Sequence, residues 1–225
     1  MIEEVKKQVY DLLSQDESGH DFSHIERVFN MSKKFLKDEK ADEVIVSLIA
    51  LLHDVDDYKL FGLENAKNLT NARKIMDDVN IDSEVQEKVL DGIRNMGYNK
   101  ALQGIRPNTL EGKIVSDADM CDAVGVNGII RTLIYSIKCN REFFNKEIFP
   151  VENICAKQYT NNNATTGVCH LFEKALKLKD MMLTNSGKKE IERRHQITVS
   201  FLYQLFDEEN VPEWKDYLDD FLKNN

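Results

Sequence analysis

The chain has 225 residues, 42% of them hydrophobic and 31% charged. That is enough apolar surface for one full domain with a real core, and it excludes a wholly disordered chain. Its 10 Gly and 3 Pro are about half the usual share of roughly 12%, which disfavours a turn-rich β fold. Thirty basic against 39 acidic residues leave a net charge of −9, so no basic face for gripping a nucleic acid polymer is advertised. A small basic pocket, and hence a nucleotide, is not excluded.

The dominant period is helical. Val5, Val9, Leu12 and Leu13 form one stripe, and Phe22, Ile25, Val28, Phe29 and Phe35 form a second. Ala41 to His53 is apolar on nearly every side after an acidic start, which predicts a central buried helix. Leu69, Ala72, Ile75, Met76 and Val79 make a fourth stripe. Ser83 and Gln86 predict a capping box ahead of Val85, Val89, Leu90 and Ile93, with Gly97 as the stop.

Asn108 or Thr109 opens a helix carrying Ile114, Val115, Met120 and Ala123, and another runs through Ile129, Ile130, Leu133 and Ile134. Residues 139–167 break the pattern with a Pro, an Asn run and scattered aromatics, as a long loop or lid does. Phe143, Phe144, Phe149 and Tyr159 supply apolar anchors there, and Lys138, Arg141, Lys146 and Lys157 supply charge. This segment is expected to pack beside the functional cleft or, as the plainer alternative, to patch the core. Helical period resumes at Leu171, Ala175, Leu176 and Leu178. Gly187 marks a break, and a long helix then carries Ile191, Val199, Leu202 and Phe206. Pro212 starts a last helix with Trp214, Leu218 and Phe221. The expectation is an all-α, single-domain helical bundle over 1–225. Its core covers about 1–138, the loop 139–167 and the C-terminal helices 168–225.

The longest nearly unbroken apolar run, Val44 to Leu52, falls far short of the roughly 20 residues of a membrane span. The start, MIEEVKK, lacks the apolar stretch of a secretory signal. Cys121, Cys139, Cys155 and Cys169 stand 18, 16 and 14 residues apart with no CxxC. Four reduced thiols and a cytosolic location are therefore expected, without membrane or nucleic acid partners.

Three segments carry chemistry. His20 and His24 lie in GHDFSHIERV, and His53 and Asp54 in LLHDVDDYK. Asp117, Asp119 and Asp122 lie in SDADMCDAVG. A histidine closing an apolar helix costs free energy unless it is bonded. Three like charges on a partly buried helix repel unless a cation or a basic side chain compensates. Imidazoles with carboxylates are a ligand set for Zn, Mn, Fe, Co or Ni. The three segments are expected to meet at one metal. No GxxxxGK[ST], GxGxxG or GxSxG is present, so neither a phosphate-cradling glycine loop nor a nucleophile elbow is available. His170 and His195 belong to helical stripes and read as structural.

The order H…HD…D, with these motifs, resembles the HD-domain superfamily of metal-dependent phosphohydrolases. The likeness is to its small, single-domain bacterial branch, which is similar to nucleotide pyrophosphohydrolases. It extends through SDADMCDAVGVNGIIRT and HLFEKALKLKDMMLTNSGKKEIERRH, and so covers nearly the whole chain. The resemblance implies His24, His53, Asp54 and Asp119 as metal ligands. Asp119 is preferred to Asp117, which lies two positions away and roughly 200° around a helix.

The resemblance also implies an acidic catalytic residue at Asp57, about one turn beyond Asp54 if the helix continues that far. Lys59, Arg27 and Arg131 are cationic candidates for phosphate oxygens, with Lys59 first. The extra histidines of the two-metal branch are missing, which implies one divalent ion. Mn²⁺ is the first choice, with Mg²⁺, Co²⁺, Ni²⁺, Zn²⁺ or Fe²⁺ as alternatives. The implied function is hydrolysis of a phosphoanhydride or phosphoester of a small-molecule phosphate, a nucleoside triphosphate above all. The alternative is a metal- or nucleotide-binding sensor that does not turn over.

Overall fold

In the computed structural model, residues 1–14, 22–151 and 165–224 are described. The elements among them are α-helical, with one 3₁₀ segment and no strand, so the all-α expectation holds. Two compact units result, Met1–Met120 and Cys121–Asn225.

The first unit is built around α3 (Glu43–Leu52). Asp42 caps it, accepting from the backbone N–H of Val44 at 2.8 Å and Ile45 at 3.1 Å. Every residue from Ile45 to Leu52 is buried. Three helices pack on it: α1 (Ile2–Leu13), α2 (Phe22–Phe35) and α6 (Ser83–Arg94). α6 approaches closely because Gly92 has no side chain: a Cβ there would lie 2.6 Å from Cδ1 of Ile49. The cap of α6 is Asp82, which accepts from Glu84 N–H, and Gln86 bonds Asp77 and the Ile81 carbonyl. The expected Ser83–Gln86 capping box is therefore corrected. Asp82 has the same short acceptor one residue earlier and reaches the N2 amide first.

Against α1 and α6 lies α5 (Thr70–Asp78), burying Ala72, Ile75 and Met76. The helix α4 (Tyr58–Asn68) buries no residue and kinks at Gly62, whose φ is +83°. Having no apolar stripe, it left no periodic signal in the sequence. α7 (Tyr98–Ala101) is one turn, and α8 (Leu110–Asp122) carries the aspartate cluster.

In the second unit, α11 (Asn185–Glu208) packs against α9 (Gly125–Lys138), the 3₁₀ segment Ala175–Met181 and α12 (Pro212–Asn224). α10 (Gly167–Glu173) precedes the 3₁₀ segment. Gly187 does not break α11 as expected. It lies in the first turn, where its N–H bonds the Thr184 hydroxyl at 2.9 Å, and a helix start tolerates glycine when a cap holds it.

Phe144, Phe149 and Phe172 ring the buried Trp214, whose indole N–H donates to the Lys146 carbonyl at 3.0 Å. Residues 139–151 thus patch this unit's own core, the plainer of the two readings. Tyr159 and Lys157 lie outside the described residues. Cys121, Cys139 and Cys169 are free thiols, and Cys155 also lies outside. Among the described residues, no helix is long and apolar enough to cross a membrane.

His195 is buried on α11. Burial, with Lys179 nearby, holds its imidazole below the ordinary value of 6.5. A folded-state pKa below the unfolded one gives stability fully present above about pH 6.5 and lost as pH falls through the lower value. The melting temperature is expected to drop on acidification in that window, and less so in H195Q. Thermal scans of both proteins across pH 5–8 check it.

Candidate metal centre

α2 places His24 in its first turn, with 1% of the side chain exposed. α3 ends at Leu52, and His53 follows as its C-cap with φ −63° and ψ −29°. The His53 Nδ1–H donates to the Ala50 carbonyl at 2.9 Å, satisfying one of the orphan acceptors of that helix end. A carbonyl can only accept, so in the neutral ring the proton sits on Nδ1 and the Nε2 lone pair faces outward. Asp119 comes from α8.

These side chains converge. His24 Nε2 lies 3.2 Å from His53 Nε2 and 3.5 Å from both Asp54 Oδ2 and Asp119 Oδ1. His53 Nε2 lies 3.7 Å from Asp54 and 4.0 Å from Asp119. The imidazoles are 1% and 3% exposed, the carboxylates 17% and 26%, so the cluster opens to solvent on its carboxylate side.

Two imidazole lone pairs cannot face each other at 3.2 Å without a proton or a cation between them. Two carboxylate oxygens close by favour a cation, and an N₂O₂ donor set suits a first-row divalent metal. The donor set fits the implied ion.

The other aspartates are accounted for separately. Asp117 is fully buried and acts electrostatically on Arg106, opposing the fall that burial imposes on its guanidinium. Asp122, also buried, pairs with Arg131 at 2.9 Å. Arg131, a candidate for phosphate, is thus committed to a structural ion pair. Arg194 caps the end of α8, donating to the Cys121 carbonyl at 3.0 Å and to Val124 at 3.4 Å.

Asp57 does not continue α3, because residues 53–56 form a turn. It is instead the N-cap of α4, accepting from Lys59 N–H at 2.9 Å. Lys59 is exposed, its ammonium 5.9 Å from the Tyr58 ring centroid. Arg27 is half-buried on α2, one turn beyond His24 and on the same side. His20 lies outside the described residues.

Sequence reasoning missed Asp56. Its carboxylate accepts from the backbone N–H of Asn71 and of Ala72, each at 2.9 Å, while Asn71 Nδ2 donates to the Val55 carbonyl at 2.7 Å. This two-way clasp fastens the 53–56 turn to the start of α5. Burial pushes the Asp56 carboxyl up, and the two amides pull it part-way back. Asp56→Ala is expected to cost about 1–3 kcal/mol and to weaken divalent binding about 10–100-fold by loosening the turn that carries His53 and Asp54. Thermal unfolding and metal titration of the same sample check both numbers.

A protein-family model, the HD domain, matches residues 21–124. The crystal structure of an HD-superfamily hydrolase from Bacillus thuringiensis is 32% identical with a TM-score of 0.72, covering 93% of this chain and 97% of its own. The chain belongs to the HD-domain superfamily. A Lactobacillus plantarum structure matches this HD-domain chain with a TM-score of 0.80 at 28% identity, over 93% and 96% of the two chains. Bacillus subtilis YpgQ is 29% identical over 214 residues, 93% of each chain. Its structure in complex with ADP matches with a TM-score of 0.68 over 95% of this chain and all of its own. The family and fold are those of metal-dependent phosphohydrolases, and the His-His-Asp cluster is where a divalent ion can be held.

Proposed function

We propose that this HD-domain protein hydrolyses a phosphoanhydride or phosphoester bond of a nucleotide, most readily a nucleoside triphosphate. The observation that carries the reading is the convergence of His24, His53, Asp54 and Asp119 within 3.2–4.0 Å. The ADP bound by the related YpgQ supports the nucleotide class. These four residues hold one divalent ion, with Mn²⁺ as first choice. Bound there, such an ion supplies a Lewis acid for a phosphoryl oxygen and acidifies a water.

The remaining chemistry belongs to the chain's own groups. The Ala50 carbonyl keeps the His53 ring in one tautomer, so the Nε2 lone pair stays available to a metal. Asp57 takes the proton of the attacking water or returns one to the leaving group. Lys59, and Arg27 beside His24, hold phosphate oxygens, the guanidinium in a bidentate fork. The open carboxylate side of the cluster gives substrate its approach.

The test is a turnover screen with Mn²⁺ across nucleoside triphosphates and a simple phosphoester, with phosphate and pyrophosphate measured separately. Hydrolysis of at least one nucleotide is expected. Full metal occupancy with no nucleotide turned over would leave a binding module instead.

A further inference from the structure

α9 is built inside out. Its buried positions are Gly125, Gly128 and Ser136, all small, and Gly167 of α10 comes so near that a Cβ there would lie 2.9 Å from the Ser136 hydroxyl. Its large apolar residues Val126, Ile130, Leu133, Ile134 and Ile137 are 39–69% exposed. At 100° per residue they fall within about 100° of one another, a continuous stripe like those that normally face a core. An accidental exposed leucine needs no explanation, but five on one helix face do.

We infer that this face is the contact surface of a homodimer, two copies of α9 packing antiparallel about a two-fold axis near Ile130 and Leu133. Three observations select a second copy. First, the stripe needs an equally apolar and uncharged counterpart, and an isologous contact provides one by symmetry. Second, the chain carries a net charge of −9, yet Gly125–Lys138 contains no acidic residue and its Arg131 is neutralised by Asp122. Two copies therefore repel least through this helix, and the same net charge opposes an anionic membrane as the occupant.

Third, the stripe offers on the order of 400–500 Å² per copy. Pairing two of them buries close to ~1,000 Å² before rim residues are added, the floor for specific association. The stripe is about three helical turns long, so Val126 at one end lies opposite Ile137 of the partner subunit at the other.

Sedimentation equilibrium of the full chain decides the point. Twice the chain mass of 26.0 kDa is expected. The double variant Ile130→Glu, Ile134→Glu should raise the dissociation constant at least ~100-fold while keeping its circular dichroism, since both positions face solvent in the single chain. A wild-type monomer at about 100 μM, or a dimer that persists in a folded double variant, overturns the proposal. If the double variant fails to fold, cross-linking decides. Leu133→Cys in a Cys139→Ser background should form a disulfide-linked dimer on mild oxidation, and Cys139→Ser alone should not. Absence of that cross-link overturns the antiparallel pairing.

Discussion

Asp54→Ala is expected to weaken divalent-metal binding by more than ~100-fold and to take turnover down with it, and Asp54→Ala with His53→Ala should abolish both. Asp54 Oδ2 stands 3.5 and 3.7 Å from the two facing imidazole nitrogens. Removing it takes away half of the charge that favours a cation there. His53→Ala alone is less clean, because it also frees the Ala50 carbonyl at the end of α3. Asp54→Ala is therefore the better single probe.

The readout need not be activity. A ligand that binds only the folded state at 100 times its Kd stabilises it by about 2.7 kcal/mol. The rise in melting temperature on adding Mn²⁺ should appear in the wild type and vanish in the variants. Asp119→Asn should lose the rise as well. Asp117→Asn should retain it while lowering stability, because Asp117 is buried in the field of Arg106. Full metal occupancy in the double variant would sink the ligand assignment.

Asp57→Asn is expected to bind metal normally and to lose ~10²–10⁴-fold in kcat. Here the fold makes the test sharper than sequence alone allowed. Asp57 is the N-cap of α4, and asparagine caps a helix about as well as aspartate. The amide variant therefore keeps the cap and removes only the titrating group. Asp57→Ala should show the same kinetic loss with an added stability cost of about 0.5–2 kcal/mol. If Asp57→Asn turns over normally while Asp57→Ala only melts earlier, the residue is a cap and nothing more. The proton-transfer role then moves to another carboxylate.

The sequence by itself determined the class of fold and pointed to the segments that carry chemistry. Period-3.6 stripes place α1, α2, α3, α5, α6, α11 and α12 because those helices bury apolar faces, and burial is what writes the pattern. The residues alone flagged three segments, because a histidine ending an apolar helix and aspartates in a small, apolar segment each need a partner to be tolerated. The set His24, His53, Asp54 and Asp119 is what the resemblance to the HD-domain superfamily implies.

What periodicity cannot report is which face of a helix meets the core. Ile130, Leu133 and Ile134 have the stripe of a buried helix, yet α9 turns Gly125, Gly128 and Ser136 inward, where Gly125 lets Arg194 of α11 come close and Ser136 meets Gly167 of α10. Nor does the chain announce where a helix stops when the stop is a side-chain bond. His53 ends α3 by bonding the Ala50 carbonyl, and Asp57 then begins α4 rather than extending α3. The Asp56–Asn71 clasp joins residues 15 positions apart, and its polar atoms carry no periodic signal. Only the tertiary structure decided these points, because each rests on a cap bond or a packing contact that leaves no periodic trace in the sequence.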